Sequence, residues 1–269
     1  MSFIDHLEAL RWHIIRSVLF VFSAAIVFFV FIDFIFDQVI MGPTRNDFIS
    51  YKLLCSLSHS LGLGESLCLP PMDMKLQVTS VSGTFMSSIS MAFACAIMVG
   101  FPYLLFEVWR FVKPALKPEE LKHTRGIIFW VSLFFFIGAA FGYFMLAPFT
   151  FNFLSNYKIG TAALLDYRPT LTDYLDTLID ITLGAGVAFE LPMASWVLSS
   201  MGIVTPDFLR NYRKYAYVAL LVVAAIITPS PDWGSQLVVV VPLVLLYEIS
   251  ILISARVNRK QEKKMAEWS

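Results

Sequence analysis

Residues 184–196 read GAGVAFELPMASW. The stretch sits inside a longer apolar run, residues 177–199, and sets one carboxylate, Glu190, near its midpoint. What that acid is for depends on the solvent around it. Composition decides the solvent. The chain has 269 residues, of which 58% are hydrophobic, 15% are charged and 25 are Phe. Its mean hydropathy is +0.71. A soluble domain carries nearer to about a quarter charged residues. The apolar residues are also gathered into long runs, so the chain reads as an all-α membrane protein.

Working outward from 177–199, five more runs appear, at 17–37, 81–105, 126–149, 215–228 and 236–254. Most reach the roughly 20 residues that carry a helix across about 30 Å of hydrocarbon. The runs are continuous rather than alternating, which argues against a barrel of strands. Six transmembrane helices in a single domain follow, with short fifth and sixth helices. The fifth either thins the bilayer or continues downward through residues 211–214 with snorkelling side chains. With both termini on one side, that side holds 15 of the Lys and Arg residues and the other holds 5. The basic side is therefore expected to be cytoplasmic, with a tail at 255–269. No small-residue cleavage site follows the first run, so no signal peptide is expected. The formal net charge of zero gives no footprint for nucleic acid.

The first outer loop, about residues 38–80, is long and periplasmic on this orientation. It contains Cys55 and Cys68, where an oxidising compartment favours a disulfide over two free thiols. Cys95 lies in the second run and reads as a small packing residue. The four histidines are scattered and read as surface or interface residues. Neither a metal-ligand spacing nor a cofactor motif is present, so no cofactor is expected.

Asp173, Asp176 and Asp180 precede Glu190 on one expected helix. At 100° per residue the four fall within an arc of about 100°. This polar stripe has Glu190 at its deepest point. An ionised acid at mid-bilayer is costly and should face protein or water. Gly184, Gly186 and Pro192 permit a close approach or a kink. The functional reading is a polar groove for a partner helix or a moving substrate. The alternative is one interhelical hydrogen bond.

The amino-terminal residues form a short amphipathic helix at the membrane surface, with Phe3, Leu7, Leu10 and Ile14 on one face. Glu8 and Arg11 are three apart and can pair. The first inner loop, residues 101–125, reads FPYLLFEVWRFVKPALKPEELKHTR. Phe101-Pro102 is expected to end the second span. Glu119 and Glu120 follow Pro118, as first-turn acids do in a new helix.

With this loop the chain resembles the TatC family, the multi-spanning subunit of the twin-arginine protein translocase. The matching stretches are DHLEALR (5–11), FPYLLFEVWRFVKPAL (101–116), GVAFELP (186–192), MGIVTPDFLR (201–210) and TPSPDWGSQ (228–236). The resemblance implies a non-enzymatic subunit of the cytoplasmic (inner) membrane. Such a subunit recognises Arg-Arg signal peptides on folded cargo, and the proton-motive force drives export. It implies single-span partners of the TatA and TatB type and a homo-oligomeric receptor complex in the lipid bilayer. The family's loop glutamate falls on Glu120 and its loop aromatic on Phe111. Its intramembrane acid falls on Glu190, and its outer-turn acid on Asp232. A carboxylate accepts paired hydrogen bonds from a guanidinium, which suits Arg over Lys. One position departs from the family: Ala9 stands where the amino-terminal motif usually has a glutamate. Glu8 or Glu107 substitutes, or Glu120 acts alone, or binding is weak in this chain. The alternative function is a proton-coupled secondary transporter using Asp176, Asp180 and Glu190 as a relay. Its signature, an internal repeat with paired broken helices, is not readable.

Overall fold

The computed structural model describes residues 3–45, 47–60, 68, 74–115, 126–156, 168–227 and 233–268. Among these, the regular structure is helical. Among the described residues the only β pairing is an isolated bridge between Gln77 and Thr170. Five stretches are long and apolar enough to cross a bilayer: Glu8–Val30, Gly83–Val112, Ile127–Asn156, Leu171–Ser200 and Gln236–Arg259.

The first helix, α1, runs unbroken over Phe3–Val30. This corrects the expectation of a separate amphipathic helix. The segment contains neither Gly nor Pro, so nothing stops the helix where the polar residues give way to apolar ones. A short α2 (Ile32–Ile35) leads into a π-turn over Phe36–Ile40 and a 3₁₀ turn over Gly42–Thr44. Helix α3 (Ile49–Ser60) follows in the long loop after the first span. Cys55 in α3 is disulfide-bonded to Cys68, closing a separation of 13 residues. Closure of a loop that short stabilises by about 3 kcal/mol.

Tyrosines tie down this end of the bundle. The Tyr51 hydroxyl donates to the Pro43 carbonyl at 2.7 Å, and the buried Tyr174 hydroxyl donates to the Ile40 carbonyl at 2.5 Å. Burial pushes the Tyr51 phenol up to about 12. The π-turn and the 3₁₀ turn after it leave carbonyls without their usual helical donors, and these hydroxyls serve Ile40 and Pro43.

Helix α4 (Gly83–Val112) passes through Pro102 instead of ending there. In a membrane helix, a carbonyl freed by proline can find partners in neighbouring helices or side chains. Glu107, Trp109, Arg110 and Phe111 therefore stand on the last turns of α4, not in a loop. A 3₁₀ turn at Lys113–Ala115, containing Pro114, ends the element. Helix α1 lies antiparallel along α4, as the pairs Phe29–Phe85, Phe22–Phe93 and Phe20–Tyr103 show.

The third span is α5 (Ile127–Phe141), a π-turn over Gly142–Leu146, and α6 (Ala147–Asn156). The fourth is α7 (Leu171–Ala188) and α8 (Leu191–Ser200). Thr170 caps α7, its hydroxyl accepting from the Asp173 amide at 3.1 Å. Helices α5 and α7 approach through Gly138. A Cβ built there would lie 2.6 Å from the Ala185 carbonyl oxygen.

A short α9 (Pro206–Asn211) precedes α10 (Arg213–Ile227), the fifth span. Its 15 residues make a rod of roughly 22 Å, short of the hydrocarbon thickness. Tyr212 separates the two helices, so α10 extends back over Lys214 and Arg213 and no further.

The last helix, α11, spans Trp233–Trp268 and is 36 residues long. The expectation of a short sixth helix is corrected here. Past residue 254 the chain reads ARVNRKQEKKMAEW. It has no Gly or Pro and is rich in helix formers, so the helix continues beyond the apolar run. Helices α8 and α11 run parallel. The Ser195 hydroxyl donates to the Ser250 carbonyl at 3.2 Å, and the Ser199 and Ser254 hydroxyls meet at 2.7 Å. The core is centred on Tyr174, Leu175, Ile181, Leu243 and Ile251, all fully buried.

Candidate functional site

Two polar places stand out in the helical bundle. The first is at the end of the α1–α4 seam. His13 Nδ1 lies 2.5 Å from Glu107 Oε2. The Tyr103 hydroxyl donates to Glu107 Oε1 at 3.1 Å. The Glu107 side chain is only 3% exposed. Both carboxylate oxygens are therefore engaged inside the protein. An incoming guanidinium would first have to displace His13 and Tyr103 from Glu107. Phe111 stands edge-on to His13, with ring centroids 6.2 Å apart. Glu8 and Arg11 are exposed on α1, and the Arg11 guanidinium sits over the Trp12 ring. Glu120 lies outside the described residues, as does Asp232.

The second place is Glu190. The fourth span breaks there: Phe189 and Glu190 form a turn between α7 and α8, with Pro192 on the first turn of α8. Pro192 has no N–H for the Ala188 carbonyl, and the chain gives way at that point. Glu190 is thus not on one continuous helix with the aspartates. Both of its carboxylate oxygens are buried, and neither has a hydrogen-bond partner. The nearest polar group to it is the Phe135 backbone on α5. Asp173, Asp176 and Asp180 are exposed on α7. The stripe faces outward, and its deepest acid is the one drawn in.

A third cluster escaped the sequence reading. The Arg213 guanidinium donates to Glu248 Oε2 at 2.7 Å, and the Tyr217 hydroxyl donates to Glu248 Oε1 at 2.6 Å. Glu248 lies midway along the apolar run of α11. The rule that flagged Glu190 applies equally to it. His13 was missed for another reason: its partner is 94 residues away.

Comparison with known proteins settles the class. The family model for the Sec-independent protein translocase protein (TatC) matches residues 5–242. The chain belongs to the TatC family. A TatC from Blattabacterium sp. subsp. Periplaneta americana (strain BPLAN) is 35% identical over 266 residues, covering 97% of each chain. One from Halalkalibacterium halodurans is 36% identical, covering 98% of this chain and 92% of its own. Crystal structures of a twin-arginine translocase receptor, TatC, superpose with TM-scores of 0.70 and, in the detergent DDM, 0.72. Both are 27% identical, and the first covers 94% of this chain and 99% of the solved one. TatC proteins are six-span membrane subunits of a protein translocase and not an enzyme family. The proton-coupled transporter alternative is therefore set aside. The short α10 counts as the span that length alone does not identify.

Proposed function

We propose that this TatC chain is the signal-peptide receptor of a twin-arginine translocase in the cytoplasmic membrane, with both termini in the cytoplasm. The family match over nearly the whole chain carries this reading. The excess of Lys and Arg on the terminal side supports the orientation. Glu120 takes the signal arginines, with Glu8 as the second carboxylate and Phe111 as the apolar contact beside them. Exposure of Glu8 on α1 supports that pairing. Glu107 holds the seam below them and does not contact the signal.

The apolar part of the signal then moves along the outer face of α7 and α8 towards Glu190. The unpartnered carboxylate and the exposed aspartates make this face the natural seat for a polar group on a single-span TatA- or TatB-type helix. A buried acid without a partner is costly alone and is relieved by a donor from outside. Copies of the chain assemble in the receptor complex, and the proton-motive force drives transport.

The test is export. In cells lacking their own TatC but retaining single-span partners, this chain should restore export of a folded reporter carrying an Arg-Arg signal. Glu120→Gln should reduce that export severely. Export that survives Glu120→Gln unchanged would contradict the assignment of Glu120.

A further inference from the structure

Helix α1 has few neighbours. Only 6% of its apolar window is buried, and it lies chiefly against α4. Most of the seam is aromatic: Phe29 on Phe85, Phe22 on Phe93, and Phe20 stacked on Tyr103 at 4.3 Å. Phe20 also fills the notch at Gly100, where a Cβ would lie 2.7 Å from its ring. Between helices in lipid, apolar contacts of this kind bring little hydrophobic driving force. They fix helix rotation poorly, because lipid tails compete for the same surfaces. A hydrogen bond to a carboxylate is directional and does fix rotation. Among the described residues, one side-chain contact to a carboxylate crosses this seam, and it is His13–Glu107.

Its place matters. Position 13 is five residues beyond Glu8 and two beyond Arg11 on the same unbroken helix. One residue of rotation in α1 would swing Glu8 by about 100°. His13 also touches Phe111 edge-on, so the same ring contacts the aromatic of α4. Tyr103 holds the other oxygen of Glu107, which keeps the carboxylate aimed at His13. Arg16 adds positive charge on the same helix, but it is exposed and makes no ion pair with Glu107.

We infer that His13, through its contact with Glu107, is a positioning residue for signal recognition: it pins the register of α1 on α4 and so sets the direction in which the exposed Glu8 is presented at that end of the seam. This rests on the receptor reading given above. It bears on the departure at Ala9. With the usual glutamate absent, the side chain that must be aimed is Glu8, and α1 has no other directional anchor near it among the described residues.

The test uses the full chain in nanodiscs, with an Arg-Arg signal peptide and its Lys-Lys counterpart as probes. A cysteine pair, Phe22→Cys with Phe93→Cys in a Cys95→Ala background, reports register by disulfide cross-linking. His13→Ala should weaken Arg-Arg binding about tenfold and lower the cross-linking yield. His13→Arg, whose permanent cation can still reach Glu107, should keep both. The swap His13→Glu with Glu107→His should recover part of what either single change loses, which excludes simple misfolding. The inference is overturned if His13→Ala keeps affinity and cross-linking, if it loses cross-linking alone, or if His13→Arg is as impaired as His13→Ala. Failure of the receptor reading looks different. The unmodified chain would then bind both peptides alike, and the cross-linking arm would still decide the pin.

Discussion

At the scale of single residues, two buried glutamates show opposite solutions to one problem. Glu107 has both oxygens satisfied, by His13 and Tyr103. Glu190 has neither satisfied. A satisfied acid is part of the framework, and removing it leaves His13 and Tyr103 short of an acceptor. An unsatisfied one contributes nothing to folding that an apolar residue could not. Glu190→Leu should therefore leave the melting temperature in detergent unchanged or raised, while export falls. A clear loss of thermal stability would mean that Glu190 has a structural partner. The sequence already singled out Glu190, since an acid in the middle of an apolar run is visible without any structure. It could not separate the roles of Glu8 and Glu107. That distinction rests on which oxygens are occupied, and occupancy depends on residues distant in sequence.

At the scale of elements, the apolar runs located the spans but not their ends. Helix ends follow stop signals more than hydropathy. Without Gly or Pro in their flanks, α1 extends back to Phe3 and α11 forward to Trp268. Pro102 misled in the other direction, because a proline inside a membrane helix need not end it. Pro192 did interrupt its span, and the turn at Glu190 is the consequence. The packing of α5 on α7 is the tightest local test. Gly138 faces the Ala185 carbonyl and the Phe189 Cβ, each 2.6 Å from where its own Cβ would stand. Backbone on one side cannot move aside cheaply. Gly138→Ala should cost about 1–3 kcal/mol, read as a lower unfolding midpoint in detergent. Because α7 carries the exposed aspartates and leads into Glu190, export should fall with it. An unchanged midpoint would show that the two helices can separate without cost.

At the scale of the whole molecule, six spans and an all-helical fold were legible from composition, run length and charge asymmetry. The family was legible from the order of its motifs. The arrangement of the helices was not, since it is written in pairs such as Ser199 with Ser254 and Arg213 with Glu248. The resulting bundle leaves Glu8 exposed near the start of a lightly held helix and buries both Glu190 oxygens at the break in its fourth span. On this account the chain receives a signal at one and passes it to the other. The central claim is that it distinguishes arginine pairs from lysine pairs without a glutamate at position 9. The most direct measurement is binding of Arg-Arg and Lys-Lys signal peptides to the purified chain in nanodiscs at moderate salt. A clear preference for Arg-Arg is predicted, abolished by Glu120→Gln. Equal binding of the two peptides, unchanged by Ala9→Glu, would contradict the account.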